Sequence, residues 1–340
     1  MRMRAADDFH CHLRQGPEAI VHARAAYEGG FSRIMAMPNT RPPITSPEGL
    51  AAYLAPLKAA IPALTVLGTF ALHPRMRMAD FSALKAVGAV AAKWYPAMAT
   101  TNSDEGIADP DAAFPALADL EASGLILCIH AEDSAAPVFE RERAFLPLLS
   151  RIAGSFPRLK LVFEHVSSAE GVEFVMGARE GVAGSLTPQH LLYTCDDMMG
   201  ASLNPHLYCK PVVKFARDRD ALREAAFSAS PRFFLGTDSA PHPRAAKERA
   251  GAASGCYSAP VALGLVAGLF AEQGRLDRLE SFASERGASF YGLPLNADRI
   301  ELVEGDWPVP DEFQGFVPLG AGGRLRFLAR RVAGDGEGEV

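Results

Sequence analysis

His10 and His12, in the segment Asp8-Phe9-His10-Cys11-His12-Leu13-Arg14, are the first residues in the chain equipped to hold a metal. On an extended strand side chains alternate, so two histidines one residue apart face the same way. Converging imidazoles make half of a zinc-type site. An ordinary surface strand can carry the same pair, but the flanking Asp8 and Arg14 add weight to the functional reading. Three further apolar stretches end in groups of the same kind: residues 125–129 run into His130, 159–164 into His165, and 232–237 into Asp238. A fourth, residues 89–96, carries a single charge in its middle, Lys93. Lysine is seldom buried unless its charge is compensated. Either Lys93 carries its amine out to water, or burial lowers its pKa and leaves a reactive neutral amine. An ammonium cannot ligate a cation. A neutral amine can take up carbon dioxide to form a carbamate, a carboxylate able to bridge two metals. Four histidines and an aspartate suit zinc or a similar borderline ion.

These groups need elements to hold them. Pro17 near the start and Gly29-Gly30 at the end frame a helix over 17–28. A strand follows at 31–37. Ser46-Pro47 starts a helix to about residue 60. Strands are expected at 64–72, 89–96, 125–130, 159–165, 182–186 and 232–238, with helices at 80–87 and 111–123. Residues 99–106 are polar and unpatterned, a loop directly after the lysine strand. Ser167 with Glu170 forms a capping-box signature. Beyond Pro260 the chain reads as mainly helical, then irregular, with a disordered glycine- and acid-rich tail over 334–340.

About eight strands alternating with helices describe a parallel sheet covered on both sides. Charged and imidazole groups gather at the C-terminal ends of at least five strands. That favours a (β/α)8 TIM-type barrel with its metal site at those ends over an open doubly wound sheet. No GxGxxG turn follows the first strand, which leaves a dinucleotide fold little support. With no repeat or linker, residues 1–333 read as one domain.

The bulk numbers exclude several classes. A hydrophobic fraction of 49% and a charged fraction of 22% are those of a soluble globular protein. A net charge of −6 without a basic stripe argues against nucleic-acid binding. Cys11, Cys128, Cys195, Cys209 and Cys256 are odd in number and scattered, which suits reduced thiols in the cytoplasm. Met1–Arg4 show no signal peptide, and the longest apolar run, 259–271, is too short for a bilayer, so no membrane association is expected.

The segments DDFHCHLR, MPNTRPPI, KWYP with ATTNS, IHAED, FEHVSS, TPQHLL, PHLYCKPVVK and GTDSAPH resemble, in this order, the short stand-alone dihydroorotases of the cyclic amidohydrolase superfamily. The resemblance runs from Asp7 to about Pro260. It implies a binuclear zinc site, with His10, His12 and Asp238 on one ion, His130 and His165 on the other, and N6-carboxylated Lys93 bridging both. It implies hydrolysis of a cyclic amide, the reversible cyclisation of N-carbamoyl-L-aspartate to L-dihydroorotate in pyrimidine biosynthesis. A metal-bridging hydroxide would be the nucleophile and Asp238 the general base and acid. Arg14, Asn39 and His242 match carboxylate-binding positions, which suits a bidentate arginine. Lys210 and Ser254 match positions contacting the ring, and Thr100 and Thr101 a mobile loop. His12 and His130 also fall among the substrate contacts. A homodimer is implied as well. Lys210 stands where an apolar residue is expected, and RAGAASG over 249–255 lacks the cysteines of some relatives. The nearest rival is a hydantoinase or allantoinase sharing the metals; a catalytically silent scaffold subunit would have lost a ligand, and none is lost. His73, His190 and His206 read as structural, as do the turn prolines Pro188 and Pro241.

Overall fold

The computed structural model describes residues 1–332, so the expected tail over 334–340 lies outside the described residues. Among the described residues eleven strands form two sheets: β1 (Arg2–Arg4), β2 (Ala6–Cys11), β3 (Phe31–Ala36), β4 (Thr65–Ala71), β5 (Ala89–Trp94), β6 (Ile126–Ile129), β7 (Leu161–Phe163), β8 (Val182–Leu186), β9 (Phe233–Leu235), β10 (Arg299–Pro308) and β11 (Arg324–Arg331). Strands β2 to β9 lie in sequence order in one parallel sheet. The ring closes where Cys11 bridges Ser239, with the His12 amide donating to the Ser239 carbonyl at 2.9 Å and the Asp238 amide to that of His10 at 2.8 Å. The expected (β/α)8 barrel is therefore present. Its closing seam runs through three of the candidate metal ligands, His10, His12 and Asp238.

Alternation along β5 explains how one lysine enters the barrel. Ala92 and Trp94 pack outward into the layer shared with the helices, and Ala91 packs into the interior cluster with Phe9, Met35 and Phe234. Lys93, two residues on, shares Ala91's side, pairs in register with Cys128 on β6, and is wholly buried. On β2 simple alternation fails. Between the pairs Asp8–Ile34 and Cys11–Ala36 the strand takes three steps against two on β3, a bulge. The extra residue lets Phe9 plug the barrel floor while His10 faces the site above it.

The floor is sealed by the helix Arg286–Tyr291. Tyr291 stacks on Phe9 with centroids 4.7 Å apart, and Gly287 lets the two segments touch: a Cβ there would lie 2.3 Å from Phe9 Cε2. Phe9 is held by Tyr291 on one side and by Phe234 edge-on at 5.4 Å. Gly287→Ala is therefore expected to destabilise the protein by about 1–3 kcal/mol through overpacking, read as a lowered urea midpoint with unchanged slope. An unaltered midpoint would mean the floor is looser than this packing.

Several element assignments need correction. The C-terminal stretch, expected to be helical and then irregular, contains β10 and β11, an antiparallel pair that takes β1 on its edge. Ile300, Leu302, Leu325 and Phe327 are buried in strict alternation with exposed charged residues, the period of a one-sided sheet. The helix Arg141–Ser155 falls in a stretch given no element, and it contains Pro147 and lacks a side-chain cap. The cap of the helix Ala169–Gly177 is Ser168, whose Oγ accepts from the Gly171 amide at 3.0 Å; Ser167 bonds Glu142 instead.

Candidate metal centre

His10 stands near the end of β2 and Lys93 near the end of β5; His12 lies just past β2, and His130, His165 and Asp238 just past β6, β7 and β9. At His165 and Asp238 the strand ends because the backbone turns there. His165 (φ 43°) and Asp238 (φ 45°) both adopt the left-handed region, as does Arg14 (φ 67°). Non-glycine residues take this conformation at a cost of about 1–3 kcal/mol, held only where the surroundings enforce it. Three such residues around one cleft mark the place where the fold accepts strain to aim side chains.

Asp238 Oδ1 lies 3.0 Å from His12 Nε2 and 3.4 Å from His10 Nε2, and one ligand atom from each of the three lies within 4.8 Å of the others. Opposite them, His130 Nδ1 faces His165 Nε2 at 3.1 Å. Buried partners decide which nitrogens carry protons. Asn39 donates from Nδ2 to the Thr101 carbonyl at 3.0 Å, which turns its Oδ1 toward His12 Nδ1 at 2.7 Å. His12 must donate there, leaving Nε2 as a bare lone pair. Glu164 Oε2 accepts from His10 Nδ1 at 2.7 Å, and Glu132 Oε2 from His130 Nε2 at 2.8 Å. These carboxylates fix the tautomers as partners of metal-bound histidines do. The result is acceptor facing acceptor: His12 Nε2 against the Asp238 carboxylate. A cation between them turns that repulsion into coordination. Lys93 Nζ, fully buried and without a hydrogen-bond partner, lies among them, as does the unpartnered His165 Nδ1. The donor set fits a two-ion centre with a bridging group on Lys93.

Protonation agrees. Burial pushes the Lys93 ammonium down, against the opposing pull of Glu164. It lowers His12 to about 4 and His165 well below its ordinary value, keeping both rings neutral. Burial works to raise Glu164 and Asp238, but neighbouring charges win. His10 and Lys93 hold Glu164 at about 2, and the closeness of His12 with the charge of His10 keeps Asp238 below the usual range.

The centre opens into a cleft of about 370 Å³ lined by His10, His12, Arg14, Asn39, Thr100, Thr101, His130, His165, Lys210, Asp238 and Ser254, together with Tyr95, Ala240 and Gly255. Every residue expected to touch metal or substrate thus falls in this wall except Lys93, which lies beneath it, and His242, which stands behind Arg14 with Nε2 3.0 Å from Nη2. Burial and the Arg14 charge lower His242 to about 3. The polar loop lies over the cleft. Its Asn102 donates to the Asn39 carbonyl at 2.9 Å and accepts from Arg41 at 2.6 Å, and Thr101 Oγ1 stands 3.4 Å from Ser254 Oγ.

Glu132 and Glu164 were missed as functional residues, although each stands within two positions of a histidine in IHAED and FEHVSS. The histidines read as structural have structural partners. His190 bonds Thr187 and the Pro211 carbonyl, His206 bonds Glu248, and His73 caps the Arg75 amide. His22, in the helix over 17–28, is buried against Tyr257 and Phe316.

A pH dependence of stability follows. His12, His22 and His190 are each lowered to about 4 from 6.5, first of all by burial. The unfolded chain binds their protons near pH 6.5 and the folded one does not. Stability is therefore full above pH 6.5 and is lost as pH falls toward 4, by about 1.4 kcal/mol per pH unit for each ring. Chelator-treated protein is expected to show a lower urea midpoint at pH 5 than at pH 7.5. His22→Leu should remove one ring's share of that slope; equal midpoints at both pH values would refute the account.

Among known proteins, a family model described as "Amidohydrolase family" matches residues 8–302. The chain is 45% identical to the dihydroorotase of Halorhodospira halophila over 336 residues, 94% of this chain and 95% of that one. It is 42% identical to the dihydroorotase of Teredinibacter turnerae over 338 residues, covering 96% and 97%. The crystal structure of dihydroorotase from Saccharomyces cerevisiae, in complex with 5-fluoroorotic acid, matches with a TM-score of 0.90 at 32% identity, over 97% of this chain and 98% of that one.

Proposed function

We propose, from the premise that this chain belongs to the amidohydrolase family and to its dihydroorotases, that it is a zinc-dependent hydrolase of cyclic amide C–N bonds interconverting L-dihydroorotate and N-carbamoyl-L-aspartate. The observation that carries the metal chemistry is the opposition of bare acceptors, His12 Nε2 to Asp238 Oδ1 at 3.0 Å, beside a buried lysine amine with no partner. His10, His12 and Asp238 would hold one zinc, His130 and His165 the other, and carboxylated Lys93 would bridge them. Bound there, the two ions would polarise the scissile carbonyl and supply a nucleophile from water at neutral pH.

The chain's own groups do the rest. Asp238, ionised because its neighbours hold its pKa down, takes a proton at Oδ1 from the attacking water and passes it to the departing ring nitrogen. Ring closure runs the same transfer in reverse. Arg14, with His242 behind it and Asn39 beside it, receives the substrate carboxylate. That the yeast relative is described in complex with 5-fluoroorotic acid, a pyrimidine carboxylic acid, supports this choice of ligand. The backbone at Lys210 and Ser254 faces the ring amides. Thr100 and Thr101 close over it and keep water out. A cytoplasmic homodimer, each subunit a single domain over 1–333, belongs to the same reading.

The test is turnover of L-dihydroorotate by purified, zinc-loaded protein, followed as loss of ultraviolet absorbance, with hydantoin and allantoin as controls. Turnover of dihydroorotate alone is expected. Preference for either control would move the substrate assignment to another cyclic amide, and inactivity on all three with two metals bound would revive a silent scaffold.

A further inference from the structure

Lys247 sits in the short helix Arg244–Lys247 and is 2% exposed, yet no carboxylate lies within ion-pairing distance of it among the described residues. Its ammonium is instead satisfied by three backbone carbonyls, of Tyr208 at 2.9 Å, Ala253 at 2.9 Å and Gly255 at 2.7 Å. An ammonium has three donors, and here each has an acceptor. The three carbonyls come from two separate segments, and each segment carries cleft-lining residues: Lys210 follows Tyr208, and Ser254 lies between Ala253 and Gly255. The segments touch directly as well, through the Gly255 amide to the Tyr208 carbonyl at 2.8 Å. Gly255, at φ 146°, fits only without a side chain: a Cβ there would lie 2.5 Å from the Ala240 carbonyl oxygen.

We infer that Lys247 is a positioning residue for substrate recognition: its ammonium clamps two backbone segments that line the cleft and fixes the spacing between Lys210 and Ser254. Burying an ammonium without a counter-ion is costly. A structure that only needed a tie between two loops could use a neutral group. A cation here adds a second effect. Its charge acts on both Arg14 and His242, so the carboxylate end of the cleft lies within a positive field extending beyond Arg14 itself.

The inference rests on the proposed reading that a cyclic amide carboxylate binds in this cleft, and the experiment separates the two. Zinc-loaded wild type, Lys247→Met and Lys247→Arg are compared for KM and kcat with L-dihydroorotate, for bound zinc, and for thermal midpoint. Methionine keeps the buried stem and removes the donors. It is expected to raise KM at least about tenfold, since a misplacement of about 1 Å can cost a hundredfold. The change in kcat should be smaller and the two zinc ions retained. Arginine keeps charge and donors in a planar fork that cannot reach three converging carbonyls equally. It is expected to fold and to raise KM severalfold, and it carries the test if the methionine variant is insoluble. A variant with lowered thermal midpoint and wild-type KM would overturn the inference, leaving Lys247 a structural tie. Absence of wild-type turnover would overturn the substrate reading instead.

Discussion

Replacement of Lys93 by methionine is expected to abolish turnover while making the metal-free protein more stable. The two effects come from the same atom. Nζ is buried inside the barrel with no hydrogen-bond partner, so the metal-free fold bears the cost of taking an amine out of water without a hydrogen bond in return. Methionine fills nearly the same volume without a polar end. Relief of an unsatisfied buried polar group is worth about 1–3 kcal/mol, which should appear as a raised urea midpoint in chelator-treated protein. With metal present the sign reverses. No carboxylate can then form at residue 93 to bridge the two ligand groups, so zinc bound per chain should fall below two. Turnover should fall by at least about a thousandfold, some 4 kcal/mol of transition-state stabilisation. Lys93→Ala should lose activity equally, but it leaves a cavity in place of the side chain, so small carboxylic acids such as acetate or propionate are expected to restore part of it. Full activity in either variant would remove Lys93 from the chemistry. A metal-free methionine variant less stable than wild type would mean that the amine is compensated in the fold.

The grouping of the candidate ligands was legible in the sequence because a (β/α)8 barrel converts a linear property into a spatial one: a polar residue ending an apolar strand must arrive at the C-terminal rim. His130, His165 and Asp238 were readable on that ground alone. The geometry that aims them was not. It depends on left-handed backbone at His165 and Asp238 and on a bulge in β2, and none of these has a glycine or proline to announce it. Simple alternation puts His10 and His12 on one face, which is correct, but it also puts Phe9 on the other, which is wrong. The carboxylates that set the tautomers, Glu132 and Glu164, adjoin histidines in the sequence. Their role becomes visible only when distances show which nitrogen each one faces. The C-terminal hairpin was misread although Ile300, Leu302, Leu325 and Phe327 follow the period of a strand. Its partner β1 lies nearly three hundred residues earlier, and Met1 reaches across to bond Leu302. Lys247 carried no signal at all, because the groups it binds are backbone carbonyls, which every residue possesses.

Asp238→Asn isolates the proton-transfer role more cleanly than any larger change. Asp238 holds φ at 45°, a region asparagine tolerates at least as well as aspartate and most other residues do not. The backbone bond from its amide to the His10 carbonyl at 2.8 Å, which helps close the barrel, is therefore expected to survive. Alanine would add backbone strain and confuse the measurement. In the metal-free protein the amide can turn its N–H toward the His12 Nε2 lone pair, but it has no charge to attract a cation and no basicity with which to take a proton from water. General acid–base catalysis typically contributes about 10²–10⁴-fold, and a weakened metal site adds to the loss. We expect turnover to fall by at least about a thousandfold with the thermal midpoint of the metal-free protein nearly unchanged. The pH profile carries a second check. Neighbouring histidines hold Asp238 below the ordinary carboxylate range, so it is ionised throughout the neutral region. Any acid limb of the wild-type hydrolysis rate near pH 6 should therefore belong to another group and persist in the residual activity of the variant. Loss of that limb would assign the titration to Asp238 after all, and retention of more than a tenth of wild-type turnover would take the proton from Asp238 and require another base in the cleft.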